Sequence, residues 1–253
     1  MTKIGIIGGM GTRAGLMLAN KITDYSVAGS DQEFFEFILH NNTKVPDRTL
    51  AILNRGPSPV PELLRSMRMM DNEEVDVIVV ACITASHFFK EVQPFVTAKL
   101  VHPIEELQQI LKSQYPTCKD IGILATSGSI KSGIFEGLRV EDDLAIRYLP
   151  AQVQEEVFMK AIYGPAGMKS GSPSIAAANE LRRCVRLLVE MGADMVIGGC
   201  TELSLIVSQQ DCSVPYVDMV DLLAQRTVRS LARQHSDTLN DTRSIQKLMN
   251  ELK

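Results

Sequence analysis

The sequence contains no tryptophan, and aromatic residues make up only 5% of its 253 positions. It also lacks an apolar run of roughly 20 residues, the length that a membrane-spanning helix needs. No basic run stands out, and the formal net charge is −4. Such a chain is poorly suited to neutralise phosphates, so nucleic-acid binding is not expected. We therefore expect a protein that works without nucleic acid and without a membrane.

Cysteine pairs of the C-x-x-C type are absent as well. An odd number of cysteines in a chain of this length predicts free thiols rather than a disulfide framework. The four histidines do not cluster at the spacings of metal ligands, so no structural zinc site is expected. The first residues, MTKIGIIGG, enter a strand pattern at once and leave no room for a signal peptide, so we expect a cytoplasmic protein.

Short apolar runs alternate with longer amphipathic stretches along the chain. The runs predict buried strands at 3–8, 35–40, 76–81, 120–125, 144–149 and 194–199. Helical patterns are found at 60–72, 103–114, 151–163 and 175–191. Strands that alternate with helices indicate parallel sheet and an α/β fold. We interpret the polar stretch from about Ser236 as a helical or frayed tail.

An internal repeat links the two halves of the chain. The stretch K-IGIIGGMG from Lys3 resembles D-IGILATSG from Asp120. The stretch VDVIVVACIT, which contains Cys82, resembles ADMVIGGCTE, which contains Cys200. The two units recur in the same order and at nearly the same distance, which a chance likeness between buried strands explains poorly.

This repeat predicts an α/β fold of two pseudo-symmetric parallel-sheet α/β subdomains, with the active site in the cleft between them. We assign 1–102 plus 209–253 to the first subdomain and 103–208 to the second. The two repeated cysteines would then face each other across the cleft.

Cys82 and Cys200 each follow a buried strand, and ligands of parallel α/β sheets bind beyond the carboxyl ends of strands. Nearby backbone N–H groups and the start of a helix would lower the pKa of each thiol. Two opposed thiols suit racemisation, in which one group removes the α-proton while the other protonates the opposite face. The turns GGMGT (8–12) and TSGS (126–129) would stabilise the resulting carbanion through its α-carboxylate.

Several motifs together resemble the aspartate/glutamate racemase family, and its aspartate racemase branch in particular. These motifs are IGIIGGMG, NNTKVPDRT, ACITASHF, ILATSGSIKSG, AIYGPAGMKSG and GGCTEL. The resemblance covers the chain to about residue 230. It implies an enzyme that needs no cofactor such as pyridoxal phosphate, acts on a small amino acid, forms a homodimer and uses Cys82 and Cys200 as its catalytic thiols. Aspartate is the substrate that this branch implies, with glutamate or a neutral amino acid left open.

The resemblance also implies which residues contact the substrate. Arg48 and Lys169 match positions that hold the side-chain carboxylate, which a guanidinium binds with two parallel hydrogen bonds while a lysine adds a point charge. The other contacts lie beside the α-groups or on the approach to them, and are Met10, Thr84, Thr126, Ser129, Thr201 and Glu202.

The sequence departs from the family pattern beside the first cysteine. Family members read Cys-Asn-Thr there, whereas this chain reads Cys82-Ile83-Thr84. The missing asparagine would hold polar α-groups of the amino acid, and isoleucine cannot form those hydrogen bonds. The departure leaves open a related isomerase or decarboxylase of a small dicarboxylic acid, or a ligand-binding protein that has kept the cleft.

A dinucleotide-binding oxidoreductase is a further alternative. Gly9-x-Gly11-x-x-Ala14 follows a predicted strand and opens a helix, as the Rossmann fingerprint requires. The second strand of that fingerprint should end near an acidic residue that holds the ribose. Here the second predicted strand ends in His40 and asparagines, so the NAD-binding interpretation is the weaker one.

Overall fold

The computed structural model describes residues 2–139 and 144–231. The tail predicted from about Ser236 lies outside the described residues. In chain order the strands are β1 (Lys3–Gly8), β2 (Glu36–Asn41), β3 (Val77–Val80), β4 (Lys99–Leu100), β5 (Asp120–Leu124), β6 (Ala145–Arg147), β7 (Met195–Gly198) and β8 (Tyr216–Asp218).

The helices surround these strands. They are α1 (Thr12–Tyr25), α2 (Arg48–Ile52), α3 (Val60–Asn72), α4 (Phe89–Val92), α5 (Pro103–Gln114), α6 (Ser127–Lys131), α7 (Ala151–Val153), α8 (Lys160–Tyr163) and α9 (Ile175–Glu190). A π-helical segment (Gln154–Met159) joins α7 to α8, and residues 219–231 are also helical. Short 3₁₀ segments follow β3 and β7, at Ile83–Phe88 and Leu203–Leu205.

The strands form two four-stranded sheets of the same topology. The strand orders are β2-β1-β3-β4 and β6-β5-β7-β8, and every strand pair is parallel. Each strand of the first sheet therefore has a counterpart in the second, as the repeat predicts. This confirms the predicted α/β fold of two similar parallel-sheet halves.

The local sequence explains why the elements begin where they do. Pro103 is the first residue of α5, where its missing N–H costs no helical hydrogen bond. The Ser174 side chain accepts a hydrogen bond from the Ala177 N–H at 3.0 Å and caps α9. The two strands that the apolar pattern did not predict, β4 and β8, have two and three residues, too few to show a strand period.

Strand β8 corrects part of the predicted subdomain division. The prediction placed 209–253 in the first subdomain, but β8 pairs with β7 through Val196–Tyr216, Ile197–Val217 and Gly198–Asp218. The backbone hydrogen bonds of β8 thus belong to the second sheet. The rest of the division stays a prediction.

A shared apolar core joins the two halves. Its buried members come from both sheets, including Ile6 and Val79 from the first and Ile123 and Ile197 from the second. Polar contacts reinforce this junction, because Lys21 and Tyr25 of α1 bind the carboxylate of Asp221 in the 219–231 helix, at 2.7 and 2.8 Å. The carboxyl ends of β3 and β7 are thereby held in a fixed relation.

Within the described ranges, no helix has both the length and the apolar character that crossing a membrane requires.

Candidate active site

The two repeated cysteines lie at equivalent positions beyond the carboxyl ends of β3 and β7. Cys82 and Cys200 are both buried, at 6% and 5% exposure. Both sulfurs influence the pKa of the same ammonium group, that of Lys169. Burial lowers this pKa, but electrostatic attraction to Glu202, Cys200 and Cys82 is larger in sum, so the pKa is raised. The fold therefore brings the two predicted thiols to one charged centre.

The Cys200 thiol donates a hydrogen bond to Glu202 Oε2 at 3.0 Å. Burial and the negative charge of Glu202 raise the pKa of the Cys200 thiol well above its ordinary value of 9.0. The prediction of a lowered pKa is therefore wrong at Cys200. The segment that follows is a 3₁₀ turn, Leu203–Leu205, rather than a helix with a positive N-terminus, and the nearest charge is a carboxylate.

The Cys82 sulfur has a cation beside it instead. Arg48, the first residue of α2, is buried, and although burial lowers the pKa of its guanidinium, attraction to Cys82 is the largest effect that raises it. Its Nη2 donates to the Met10 carbonyl at 2.7 Å and its Nη1 to the Pro46 carbonyl at 3.0 Å, while the buried Nε has no partner. The guanidinium is thus anchored through both Nη atoms, while Nε makes no hydrogen bond.

Lys169 and Glu202 form a buried ion pair at the same centre. Lys169 Nζ lies 2.6 Å from Glu202 Oε1, and the two side chains are 17% and 3% exposed. Nζ also donates to the Met10 carbonyl, which therefore accepts hydrogen bonds from both Arg48 and Lys169. Met10 is buried, and its carbonyl is the atom that bonds these two cations.

A cluster of buried hydroxyl groups lies between the halves. Thr84 Oγ1 is 2.7 Å from Ser129 Oγ and 3.2 Å from Thr126 Oγ1. Thr49 Oγ1 donates to Thr126 Oγ1 at 3.3 Å and is 3.4 Å from the Tyr163 hydroxyl. Three predicted substrate contacts therefore meet here, together with two residues that the sequence interpretation did not single out.

Close backbone contact makes this meeting of the halves possible. A Cβ atom at Gly128 would lie 2.6 Å from the Thr49 Cα, so only glycine lets α6 approach α2 this closely. The Thr126 side chain accepts from the Ser129 N–H at the start of α6, which fixes the turn that carries these hydroxyls.

Thr201 is buried between the two halves. Its hydroxyl donates to the Ala81 carbonyl at 3.4 Å, across to the strand end that precedes Cys82. It therefore contributes to the junction of the two halves directly beside the thiols. Ile83, the departure from the family pattern, is 2% exposed and packs into the shared apolar core.

A cavity of about 520 Å³ opens over the charged centre. Its walls come from both halves and include Arg48, Lys169 and Glu202. Cys82 and Cys200 are not among the residues that line it. At its mouth Arg13 donates to the carbonyls of Ser170 and Gly171 at 3.1 and 2.8 Å, which holds the Lys169 loop against α1.

Sequence reasoning missed Thr49, Tyr163 and Arg13. Thr49 and Tyr163 belong to the motifs VPDRT and AIYGPAGMKSG. These motifs therefore indicated the right segments of the chain, although the two residues were not predicted as part of the site. The Tyr163 ring lies under Lys169 Nζ, 5.5 Å from its centroid. Arg13 could not be identified from the sequence, because the residues it contacts, Ser170 and Gly171, are 157 and 158 positions away in the chain.

The glycine-rich turn fits a dinucleotide poorly. A pyrophosphate would need the N–H groups of this turn, yet a Cβ at Gly11 would lie only 2.6 Å from Glu202 Oε1. A carboxylate this close repels a phosphate. Among the described residues, no group of three or more His, Cys, Asp or Glu side chains is placed to hold a metal ion.

The chain is similar in sequence and in structure to known amino-acid racemases. A family model described as Asp/Glu/Hydantoin racemase matches residues 7–227. The aspartate racemase of Picrophilus torridus is similar in structure, with a TM-score of 0.79, 26% identity, and coverage of 91% of this chain and 94% of that one. An aspartate racemase homologue from Pyrococcus horikoshii OT3 shares the fold, with a TM-score of 0.67, 22% identity and coverage of 92% and 100%.

The chain is also similar in sequence to a racemase of broad specificity. The broad specificity amino-acid racemase RacX of Bacillus subtilis (strain 168) is 22% identical over 232 residues, which cover 89% of this chain and 96% of that protein.

Proposed function

Because the chain belongs to the Asp/Glu/Hydantoin racemase family, we propose that it is an amino-acid racemase that interconverts L- and D-aspartate through Cys82 and Cys200. The observation that carries this proposal is that two buried thiols lie at equivalent positions, beyond the carboxyl ends of β3 and β7 in two sheets of the same topology. The similarity to the Picrophilus torridus aspartate racemase supports aspartate as the substrate.

The unequal surroundings of the thiols assign their starting roles. Cys82 has the Arg48 guanidinium beside it, and we assign it the role of the base that removes the α-proton of one enantiomer. Cys200 is held as a thiol by Glu202, so it donates its proton to the opposite face of the same carbon. For the other enantiomer the two roles are exchanged.

The carbanion formed in between needs stabilisation at the α-carboxylate. The hydroxyls of Thr84, Thr126 and Ser129 form a fixed group of donors between the halves. Donors that are already in place stabilise developing charge without further reorganisation. The substrate's distal carboxylate would bind Arg48 and Lys169. Both side chains donate to the Met10 carbonyl, and Lys169 is in addition paired with Glu202.

Solvent exchange tests the proposal. L- and D-aspartate are incubated separately with the purified protein in deuterium oxide, without added cofactor, and the α-proton signal is followed by NMR. We expect the signal of both enantiomers to decline. If neither aspartate nor glutamate exchanges, the racemase proposal fails and the decarboxylase, isomerase and ligand-binding alternatives remain.

Replacing the isoleucine beside the first thiol tests the departure from the family pattern. Ile83→Asn restores a hydrogen-bonding side chain next to Cys82, and we expect a higher kcat/KM for aspartate. Ile83 packs into the shared core, so burying an amide there also costs stability. The thermal midpoint is therefore measured beside the kinetics, and Ile83→Val, which adds no polar group, serves as the control. An unchanged or lower kcat/KM in a folded Ile83→Asn variant would contradict the expectation.

The raised pKa of Cys200 predicts the alkaline limit of activity. A group whose pKa lies above its ordinary value of 9.0 stays protonated as the pH rises through neutrality and loses its proton only at higher pH. Cys200 must be protonated in the direction in which it is the acid. For the enantiomer that Cys82 deprotonates, we therefore expect kcat/KM to hold to above pH 9.0 and then fall. A decline that begins near neutral pH would show that Cys200 is not the acid.

We also propose the homodimer that the family resemblance implies and the cytoplasmic location expected from the sequence. Size-exclusion chromatography with light scattering tests the dimer, and a monomer that retains full activity would contradict it.

A further inference from the structure

The ammonium group of Lys169, the candidate partner of a substrate's distal carboxylate, already has a carboxylate partner inside the protein. Glu202 Oε1 lies 2.6 Å from Lys169 Nζ, and Glu202 is almost fully buried. The other oxygen, Oε2, accepts the Cys200 thiol. One side chain therefore neutralises the predicted substrate-binding cation and holds the predicted catalytic acid.

This arrangement changes what the cavity requires of a ligand. An unpaired buried ammonium would demand an anion, because burying a charge without a partner is costly. Here the pair of Lys169 and Glu202 is complete without a ligand. A neutral side chain can enter and leave the pair intact, whereas an acidic side chain has to compete with Glu202 for Lys169.

We propose that Glu202 is the specificity-determining residue of the site: by neutralising Lys169 it lets neutral amino acids such as alanine serve as substrates beside aspartate. This inference rests on the proposed racemase function and concerns its substrate class. It distinguishes Glu202 from Arg48, whose Nη groups bond to neutral carbonyls and whose charge remains available to any substrate carboxylate.

Gly11 provides a second, independent way to disturb the pair. Its backbone is extended, with φ −119° and ψ 149°, so alanine fits the main chain. A Cβ there would lie 2.6 Å from Glu202 Oε1 but 3.9 Å from Lys169 Nζ. Gly11→Ala should therefore push the carboxylate off its position while leaving the lysine in place.

The test compares two substrates that differ by one carboxylate. The ratio of kcat/KM for aspartate to that for alanine is measured in the parent protein, in Glu202→Gln and in Gly11→Ala. Glu202→Gln leaves Lys169 without an anion, and we expect the ratio to rise by about tenfold, a modest value for one charge-assisted hydrogen bond. Gly11→Ala should move the ratio in the same direction by less. Weaker acid catalysis at Cys200 slows both substrates alike and cancels in the ratio.

Controls and a binding measurement make the result decisive. Glu190→Gln removes an exposed carboxylate at the end of α9 and should leave the ratio unchanged. Calorimetry with succinate and butyrate, which also differ by one carboxylate, should show the same rise in preference in Glu202→Gln, and this readout needs no turnover. A preference that stays constant or falls in both assays would overturn the inference. Loss of racemisation in the parent protein with the expected binding shift would instead count against the proposed function alone.

Discussion

Cys82→Ser and Cys200→Ser should each reduce aspartate racemisation by about 10²- to 10⁴-fold, the range that one general acid or base contributes. A serine hydroxyl keeps the size of the side chain but is far too weak an acid and base for the α-proton. The two variants should also differ from each other. In each, the remaining thiol still faces one side of the carbon, so α-proton exchange of one enantiomer can survive while full racemisation does not.

Cys184→Ser is the matched control for this experiment. Cys184 is as deeply buried as the two candidate thiols, but it lies on α9 in the core of the second half and does not belong to the charged centre. Its replacement tests the cost of a buried serine without touching the site. Unchanged turnover in either Cys82→Ser or Cys200→Ser would refute the two-thiol mechanism.

Arg48→Ala should have the second-largest effect, mainly by raising the KM for aspartate. Removing one partner of a desolvated charge pair costs about 2–5 kcal/mol, and kcat/KM should fall accordingly. Alanine, which has no distal carboxylate, should lose less. Arg48→Lys retains the charge but not the two parallel donors, so it should restore only part of the loss.

A structural effect has to be separated from this one, because the Arg48 guanidinium also bonds the carbonyls of Met10, Val45 and Pro46. The thermal midpoint of each variant is therefore recorded, and Arg55→Ala removes an exposed arginine shortly after α2 as a control. An equal loss for aspartate and alanine would show that Arg48 supports the loops and does not bind the distal carboxylate.

The fold could be predicted from the sequence because its two halves repeat. The matching of Cys82 with Cys200 fixed which strands correspond, and parallel topology then placed both strand ends at one edge. The position of β8 could not be predicted. Three residues carry no period, and only hydrogen bonding to β7 assigns them to the second sheet.

The sequence predicted which residues form the site, but it did not predict how their charged side chains pair. The motifs identified Lys169 and Glu202 separately, yet nothing in their spacing of 33 residues shows that they form an ion pair. For the same reason the sequence predicted the wrong direction for the pKa of Cys200, since the effect of a neighbouring carboxylate depends on where its side chain points. Long-range contacts such as that of Arg13 with the Lys169 loop are equally invisible in a single sequence.

If two thiols act from opposite faces of one carbon, solvent deuterium should appear first in the product enantiomer. L-aspartate is incubated with the protein in deuterium oxide, and the reaction is stopped when little product has formed. We expect the D-aspartate product to carry deuterium at the α-carbon, because the thiol on the opposite face delivers a solvent-derived proton, while the remaining L-aspartate is still largely protiated. Product that retains the original proton, or equal deuterium in both enantiomers, would contradict the two-thiol mechanism.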